Sequence, residues 1–140
     1  MGENMTKIFI SYCEEDRSYR DGFAGMLRNP NNEFIDVDVR ERENFRSSTV
    51  DRSNEIRNFL REKVGEATVI ALLFSNNTYK GNWLNYEIEV ATSQNKPIFI
   101  VRIPGTSSSA QYPRALTRKV TELQWNSTEI NNYLSKLFGR

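Results

Sequence analysis

Glu87 and Glu89 lie two residues apart in the segment 83–94 (WLNYEIEVATSQ), and a helix puts them in opposite surroundings. At about 100° per residue, Trp83, Leu84, Ile88, Val90 and Ala91 form one continuous apolar arc, and Glu87 falls inside it, about 40° from Trp83. Glu89 falls on the polar side and reads as an ordinary solvated residue. A carboxylate on an apolar face in the first turns of a helix is pulled two ways. The helix N-terminus favours its ionised form and burial opposes it. Such a group can do chemistry, or it can pair with a structural arginine or lysine. Trp83 is open in the same way, as a core aromatic or as an indole at a pocket mouth that stacks on a ligand.

The rest of the composition narrows what Glu87 could take part in. The chain of 140 residues has no histidine, which excludes Ser-His-Asp and Cys-His catalysis and histidine-ligated zinc. Cys13 is the one cysteine, so neither an internal disulfide nor a CxxC metal site can form. Chemistry falls to carboxylates, hydroxyls and amides, and no metal site is expected. With 19 basic against 18 acidic residues the net charge is +1, too small a field to draw nucleic acid or an anionic membrane. The longest apolar run, 68–74, is far short of the roughly 20 residues that span a bilayer. The opening MGENMTKIFI lacks the apolar stretch and cleavage site of a signal peptide, so a cytoplasmic protein is expected. The length predicts one domain over 1–140, able to bury about two-thirds of its unfolded surface without staples.

The elements that position Glu87 alternate between strand and helix. Residues 7–12 (KIFISY), 68–75 (TVIALLFS) and 97–103 (PIFIVRI) read as buried strands. Residues 33–39 (EFIDVDV) alternate, with Ile35, Val37 and Val39 on one face and Asp36 and Asp38 on the other, which predicts a half-buried edge strand with Asp36 accessible. Residues 120–125 read as a short fifth strand. Asp16 is placed to cap a helix with Tyr19, Phe23, Met26 and Leu27 on its inner face. After the breaker 29–32, a charged loop at 40–49 and a capping box of Ser48 with Asp51 lead to a helix with Ile56, Phe59, Leu60 and Val64 inward. Residues 104–113 read as a flexible surface loop. Asn126 with Glu129 caps a last helix whose Ile130, Tyr133, Leu134, Leu137 and Phe138 face the core.

Strands alternating with helices imply a parallel sheet covered on both faces. An edge position for the second strand is met by the flavodoxin-like order 2-1-3-4-5, a three-layer α/β sandwich, with Ile10, Ile70, Leu72, Ile98 and Ile100 in its core. The winding reverses between strands 1 and 3, and ligands bind outside the carboxyl ends of strands at such a point. The expected site therefore lies between the loop 12–16 and the segment 76–87, from Asn76 to Glu87.

Ile8-Phe9-Ile10-Ser11-Tyr12 followed by Asp16 resembles the FISY-x-x-x-D opening of TIR domains, and Trp83-Leu84-Asn85-Tyr86-Glu87-Ile88 resembles their W-x-x-x-E signature. The W-L-N-Y-E-I-x-x-A form, Asp36 and Asp38, and the compact length look most like the TIR-like proteins (ThsB type) of the bacterial Thoeris anti-phage system. The resemblance covers about residues 7–138. It implies the TIR fold, with Glu87 as the catalytic glutamate of an NAD-cleaving enzyme. It also implies a nucleotide pocket lined by Ser11, Tyr12, Cys13, Asn76 and Trp83, with Trp83 and Tyr12 packing the nicotinamide or adenine. Two positions depart from the pattern. Gly81 stands where many TIR enzymes have serine, and Cys13, Glu14 and Glu15 stand where several have basic residues. Phosphate contacts then fall to Arg40, Arg42 and Arg46 in the charged loop.

The activity so implied is cleavage of the nicotinamide–ribose bond of NAD, an NAD glycohydrolase or ADP-ribosyl cyclase with NAD as substrate and no cofactor. Nicotinamide leaves as a neutral pyridine, so no general acid is required, and one carboxylate can steady an oxocarbenium-like transition state. The Thoeris resemblance implies a cyclic ADP-ribose isomer as second messenger for a separate effector, with a phage-derived trigger or self-assembly switching activity on. Rival readings at the same strand ends fail. A phospho-receiver would want aspartate where Ser75-Asn76 stands, a flavodoxin a Ser/Thr-rich loop where CEED stands, and GxxxxGK[ST] is absent. The remaining rival is a non-catalytic TIR adaptor working by TIR–TIR contact. Adaptors often lack the glutamate that this chain keeps.

Overall fold

Residues 6–27, 35–38 and 53–137 are described by the structure, a computed structural model; for 6, 35–38 and 53 the description is of backbone only. In chain order the elements are β1 (Thr6–Ser11), α1 (Arg17–Leu27), β2 (Ile35–Asp38), α2 (Ser53–Glu66), β3 (Val69–Phe74), α3 (Asn82–Ser93), β4 (Ile98–Arg102), β5 (Thr121–Leu123) and α4 (Ser127–Leu137). Short 3₁₀ turns at Glu14–Asp16 and Thr78–Lys80 precede α1 and α3. The breaker at 29–32, Arg40, Arg42, Arg46, the Ser48–Asp51 box, Val39, Phe138 and the exposure of Asp36 lie outside this description.

The strands form one parallel sheet in the order β2-β1-β3-β4-β5. β2 is an edge strand, as its alternation demands, and the uninterrupted apolar runs β1, β3 and β4 occupy the middle. Strand parity then divides the core. Ile8, Ile10, Tyr12, Val69, Ala71, Leu73, Phe99 and Val101 face α1 and α4, where they meet Phe23, Leu27, Ile130 and Leu134. Phe9, Cys13, Ile70, Leu72, Phe74, Ile98 and Ile100 face α2 and α3, where they meet Ile56, Leu60, Val64, Leu84, Ile88 and Ala91. All five expected core isoleucines and leucines are buried.

Three local expectations change. Tyr19 stands at the rim of α1, edge-on to Trp125 with ring centroids 5.5 Å apart, while Arg20 is the residue that turns inward. Leu137, the last residue of α4, is exposed. Residues 104–113 are pinned rather than loose. The Ser107 amide donates to Asn76 Oδ1 (3.0 Å), Thr106 Oγ1 to the Phe74 carbonyl (3.2 Å), and Tyr112 stacks on Phe74 at 4.5 Å with the rings 7° from parallel. The end of α4 follows expectation at its other terminus, where the Glu129 amide donates to Asn126 Oδ1 (2.8 Å) and Glu129 Oε2 accepts from the Gln124 amide (3.2 Å).

Candidate functional site

The winding reverses between β1 and β3, and the polar groups gather beyond the carboxyl ends of these two strands. Glu87 sits on α3 with Leu84, Ile88 and Ala91 at helical spacing along the same buried face, and has 0% of its surface exposed. Glu89, two residues on, is exposed. The hydroxyl of Ser11, itself 0% exposed, donates to Glu87 Oε1 at 2.6 Å. The bond fixes the orientation of the carboxyl group on α3 against the end of β1.

Ser11 reaches Glu87 because of strand parity, and the same parity removes Tyr12. Consecutive residues at the end of β1 point to opposite faces, so Tyr12 enters the α1–α4 core. It is 1% exposed, and the Arg20 guanidinium lies over its ring at 5.2 Å. The expected stacking of Tyr12 on a ligand is therefore corrected: its ring is a core group on the face away from Glu87. Cys13 returns to the Glu87 side, buried, with its thiol directed at the Asn77 carbonyl (3.4 Å).

Asn76 is also displaced from its expected role. Its side chain turns toward the loop after β4 and accepts from the Ser107 amide, while Asn77 faces the β1 loop. Asp16, expected as a helix cap, crosses the crevice instead. Its Oδ2 accepts from Ser75 Oγ at 2.6 Å and its Oδ1 from Asn77 Nδ2 at 3.2 Å. The partners are 59 and 61 residues away, beyond the reach of any local capping rule.

Gly81 has an ordinary backbone (φ −65°, ψ 113°), so its need for glycine is one of space. A Cβ there would lie 2.8 Å from Cys13 Sγ and 3.2 Å from Leu84 Cβ. Cys13 fills the volume that a larger residue at 81 would require, so Gly81 and Cys13 form one packing arrangement, while Glu14 and Glu15 are exposed and take no part in it. Asn85, which the helical period alone did not single out, is buried and ties the region together. Its Nδ2 donates to the carbonyls of Gly81 (2.7 Å) and Tyr79 (3.3 Å), and its Oδ1 accepts from the Ala115 amide (2.7 Å).

Trp83, one turn before Glu87, is half-buried on the seam between α2 and α3. It meets Tyr86 edge-on at 6.0 Å, and the Arg57 guanidinium lies 5.9 Å from the centroids of both rings. Arg61 donates to the Tyr86 hydroxyl at 3.1 Å. Arg57 is thus a cation beside the aromatic of the W-x-x-x-E segment, missed by the sequence reading because helical exposure makes it look like any solvated arginine.

A parallel sheet of this order with helices on both faces is an α/β domain of the flavodoxin-like type, with a buried, hydroxyl-bound glutamate at its reversal of winding. Residues 9–108 match the family described as Thoeris protein ThsB, TIR-like domain, and the chain belongs to that family. Among solved structures it is similar to the SEFIR domain of IL-17 receptor B, with a TM-score of 0.65 and 11% identity over 97% of this chain and 96% of that one, a likeness of fold alone. A 3-dehydroquinate dehydratase-like protein from Bifidobacterium longum matches at TM-score 0.49 and 18% identity, over 97% of this chain and 100% of that one, too loosely to bear on activity. No curated protein matches the sequence. Among the described residues no helix is long and apolar enough to cross a membrane.

Proposed function

We propose that this domain cleaves the nicotinamide–ribose bond of NAD and releases a cyclic ADP-ribose isomer that a separate effector protein reads in anti-phage defence. The observation that carries the reading is Glu87, a wholly buried carboxylate held by Ser11 at the point where ligands bind in folds of this order. Membership of the Thoeris family supports the biological setting.

Glu87 steadies positive charge on the ribose as the bond to nicotinamide breaks, or holds the ribose hydroxyls, and Ser11 keeps its carboxylate oriented. Trp83 packs an aromatic ring of the nucleotide. Arg57 beside it meets the diphosphate, with Arg40, Arg42 and Arg46 retained as further candidates. Cyclisation requires an internal nucleophile of the substrate to reach the ribose carbon before water does, which a closed apolar surround promotes. NAD enters as substrate, and no cofactor, metal or nucleic acid takes part.

The burial of Glu87 fits an activity that is switched on. Substrate has to reach a carboxylate with no accessible surface, and a phage-derived trigger or TIR–TIR self-association would open the path. Such a protein works in the cytoplasm, where NAD and the effector are present. The test is incubation of the purified chain with NAD, with and without lysate of phage-infected cells, and mass spectrometry of the products. Free nicotinamide with a cyclic nucleotide is the expected result. Intact NAD in both arms, with protection against phage retained by Glu87→Gln, would favour the adaptor reading.

A further inference from the structure

Asp16 is 5% exposed, yet among the described residues no lysine or arginine pairs with it. A carboxylate this buried needs its oxygens met by hydrogen-bond donors, and both oxygens of Asp16 are met by neutral ones. The donors here come from the connection between β3 and α3. Ser75 Oγ donates to one carboxylate oxygen, Asn77 Nδ2 to the other, and Ser75 Oγ accepts from the Asn77 amide (3.0 Å).

From this clasp an unbroken path of hydrogen bonds leads to α3. The Ser75 carbonyl accepts from Thr78 Oγ1 (3.0 Å), the Thr78 carbonyl from the Gly81 amide (3.2 Å), and the Gly81 carbonyl from both the amide (2.9 Å) and the side chain (2.7 Å) of Asn85. Glu87 is two residues beyond Asn85 on the same helix. Its partner Ser11 lies on β1, five residues before Asp16. One carboxylate therefore joins the two segments that carry the two halves of the Ser11–Glu87 bond.

We propose that Asp16 is a positioning residue: by clasping Ser75 and Asn77 it sets the placement of α3 against β1 at which Glu87 meets Ser11. The proposal rests on the reading of Glu87 as the reacting group only for its effect on turnover; its effect on the Ser11–Glu87 contact stands apart from that reading.

The test uses the full chain carrying Asn77→Asp or Asp16→Asn. Asn77→Asp sets a second carboxylate against Asp16 at an exposed position, and so opens the clasp without touching the core. Asp16→Asn is isosteric and weakens the clasp, which keeps the measurement open if the first variant fails to fold. Crystal structures of both are compared with that of the parent, and kcat and KM for NAD are measured. The expected result for Asn77→Asp is a Ser11–Glu87 separation beyond about 3.5 Å. With it, kcat falls about ten- to a hundredfold and KM changes little, since misplacement by about 1 Å is enough for such a loss. Asp16→Asn falls between Asn77→Asp and the parent. A Ser11–Glu87 contact unchanged in both variants overturns the proposal, whereas a broken contact with unchanged turnover upholds the positioning role of Asp16 and overturns the reading of that contact as needed for turnover. If the parent leaves NAD intact, the reading of function fails by itself, and the crystallographic contact still decides the role of Asp16.

Discussion

Two polar clusters, one between β4 and β5 and one at the carboxyl ends of β1 and β3, are built on different principles. On the β4–β5 side, Glu122 accepts from Arg102 Nε and from the Tyr112 hydroxyl, each at 2.6 Å, in a partly exposed setting. The carboxylate is matched by a cation on the neighbouring strand. On the β1–β3 side, Asp16 is buried and held by a hydroxyl and an amide, and Glu87 has a hydroxyl on one oxygen. A carboxylate that only fastens a loop is stabilised at little expense by an ion pair in solvent reach. Asp16 is instead held out of solvent by neutral donors, at the place where the winding reverses.

The sharpest break of this contrast is Glu87→Gln. It preserves shape and should leave the fold intact while lowering NAD turnover by on the order of 10²–10³, measured by nicotinamide release. Glu89→Gln, two residues away and exposed, should leave turnover unchanged. Equal rates in the parent and Glu87→Gln would reduce the β1–β3 cluster to a structural feature like its counterpart.

Trp83→Ala tests the proposed part of Trp83 in screening the nucleotide. Removing the half-buried indole should lower total turnover and shift the remainder from cyclic product toward linear ADP-ribose, for a loss of about 1–3 kcal/mol in packing and water exclusion. Chromatography of the products decides; an unchanged cyclic-to-linear ratio would limit Trp83 to packing between α2 and α3.

Gly81→Ser tests the packing that supports the cluster. With Cys13 Sγ 2.8 Å from the new Cβ, the substitution should destabilise the fold by about 1–3 kcal/mol in denaturant titration. Cys13→Ala combined with Gly81→Ser should recover most of that loss, because the obstructing sulfur is gone.

The smallest effect belongs to the β4–β5 cluster. The pKa of Tyr112 is raised above 10.0, chiefly because its hydroxyl donates to Glu122 and further because it is partly desolvated. A raised folded-state pKa means that this contribution is fully present below the unfolded pKa and is lost as pH rises through the folded one. Stability of the parent should therefore fall more steeply above about pH 10 than that of Tyr112→Phe, as read by thermal melts, with NAD turnover at neutral pH the same in both. A change in neutral turnover would show that the two clusters are coupled.

The amino-acid sequence by itself determined the parallel α/β architecture and its layers, because continuous apolar runs and helical periods are local properties that report which side of each element is buried. It separated Glu87 from Glu89 for the same reason, and the alternation of Asp36 and Asp38 with apolar neighbours placed β2 at the edge. Only the tertiary structure decided what each buried side chain meets. The run IFISYC is apolar on both faces, so parity alone could not say that Ser11 turns to α3 and Tyr12 to α1. Asp16 obeyed every local signal for a cap, yet its donors arrive from β3 across some sixty residues. Gly81 looked like a missing serine until Cys13 was seen to occupy the same volume. Periodicity fixes a side chain's direction within its own element; its partner is chosen by how distant elements pack, and at this crevice the partner is what gives each polar group its role.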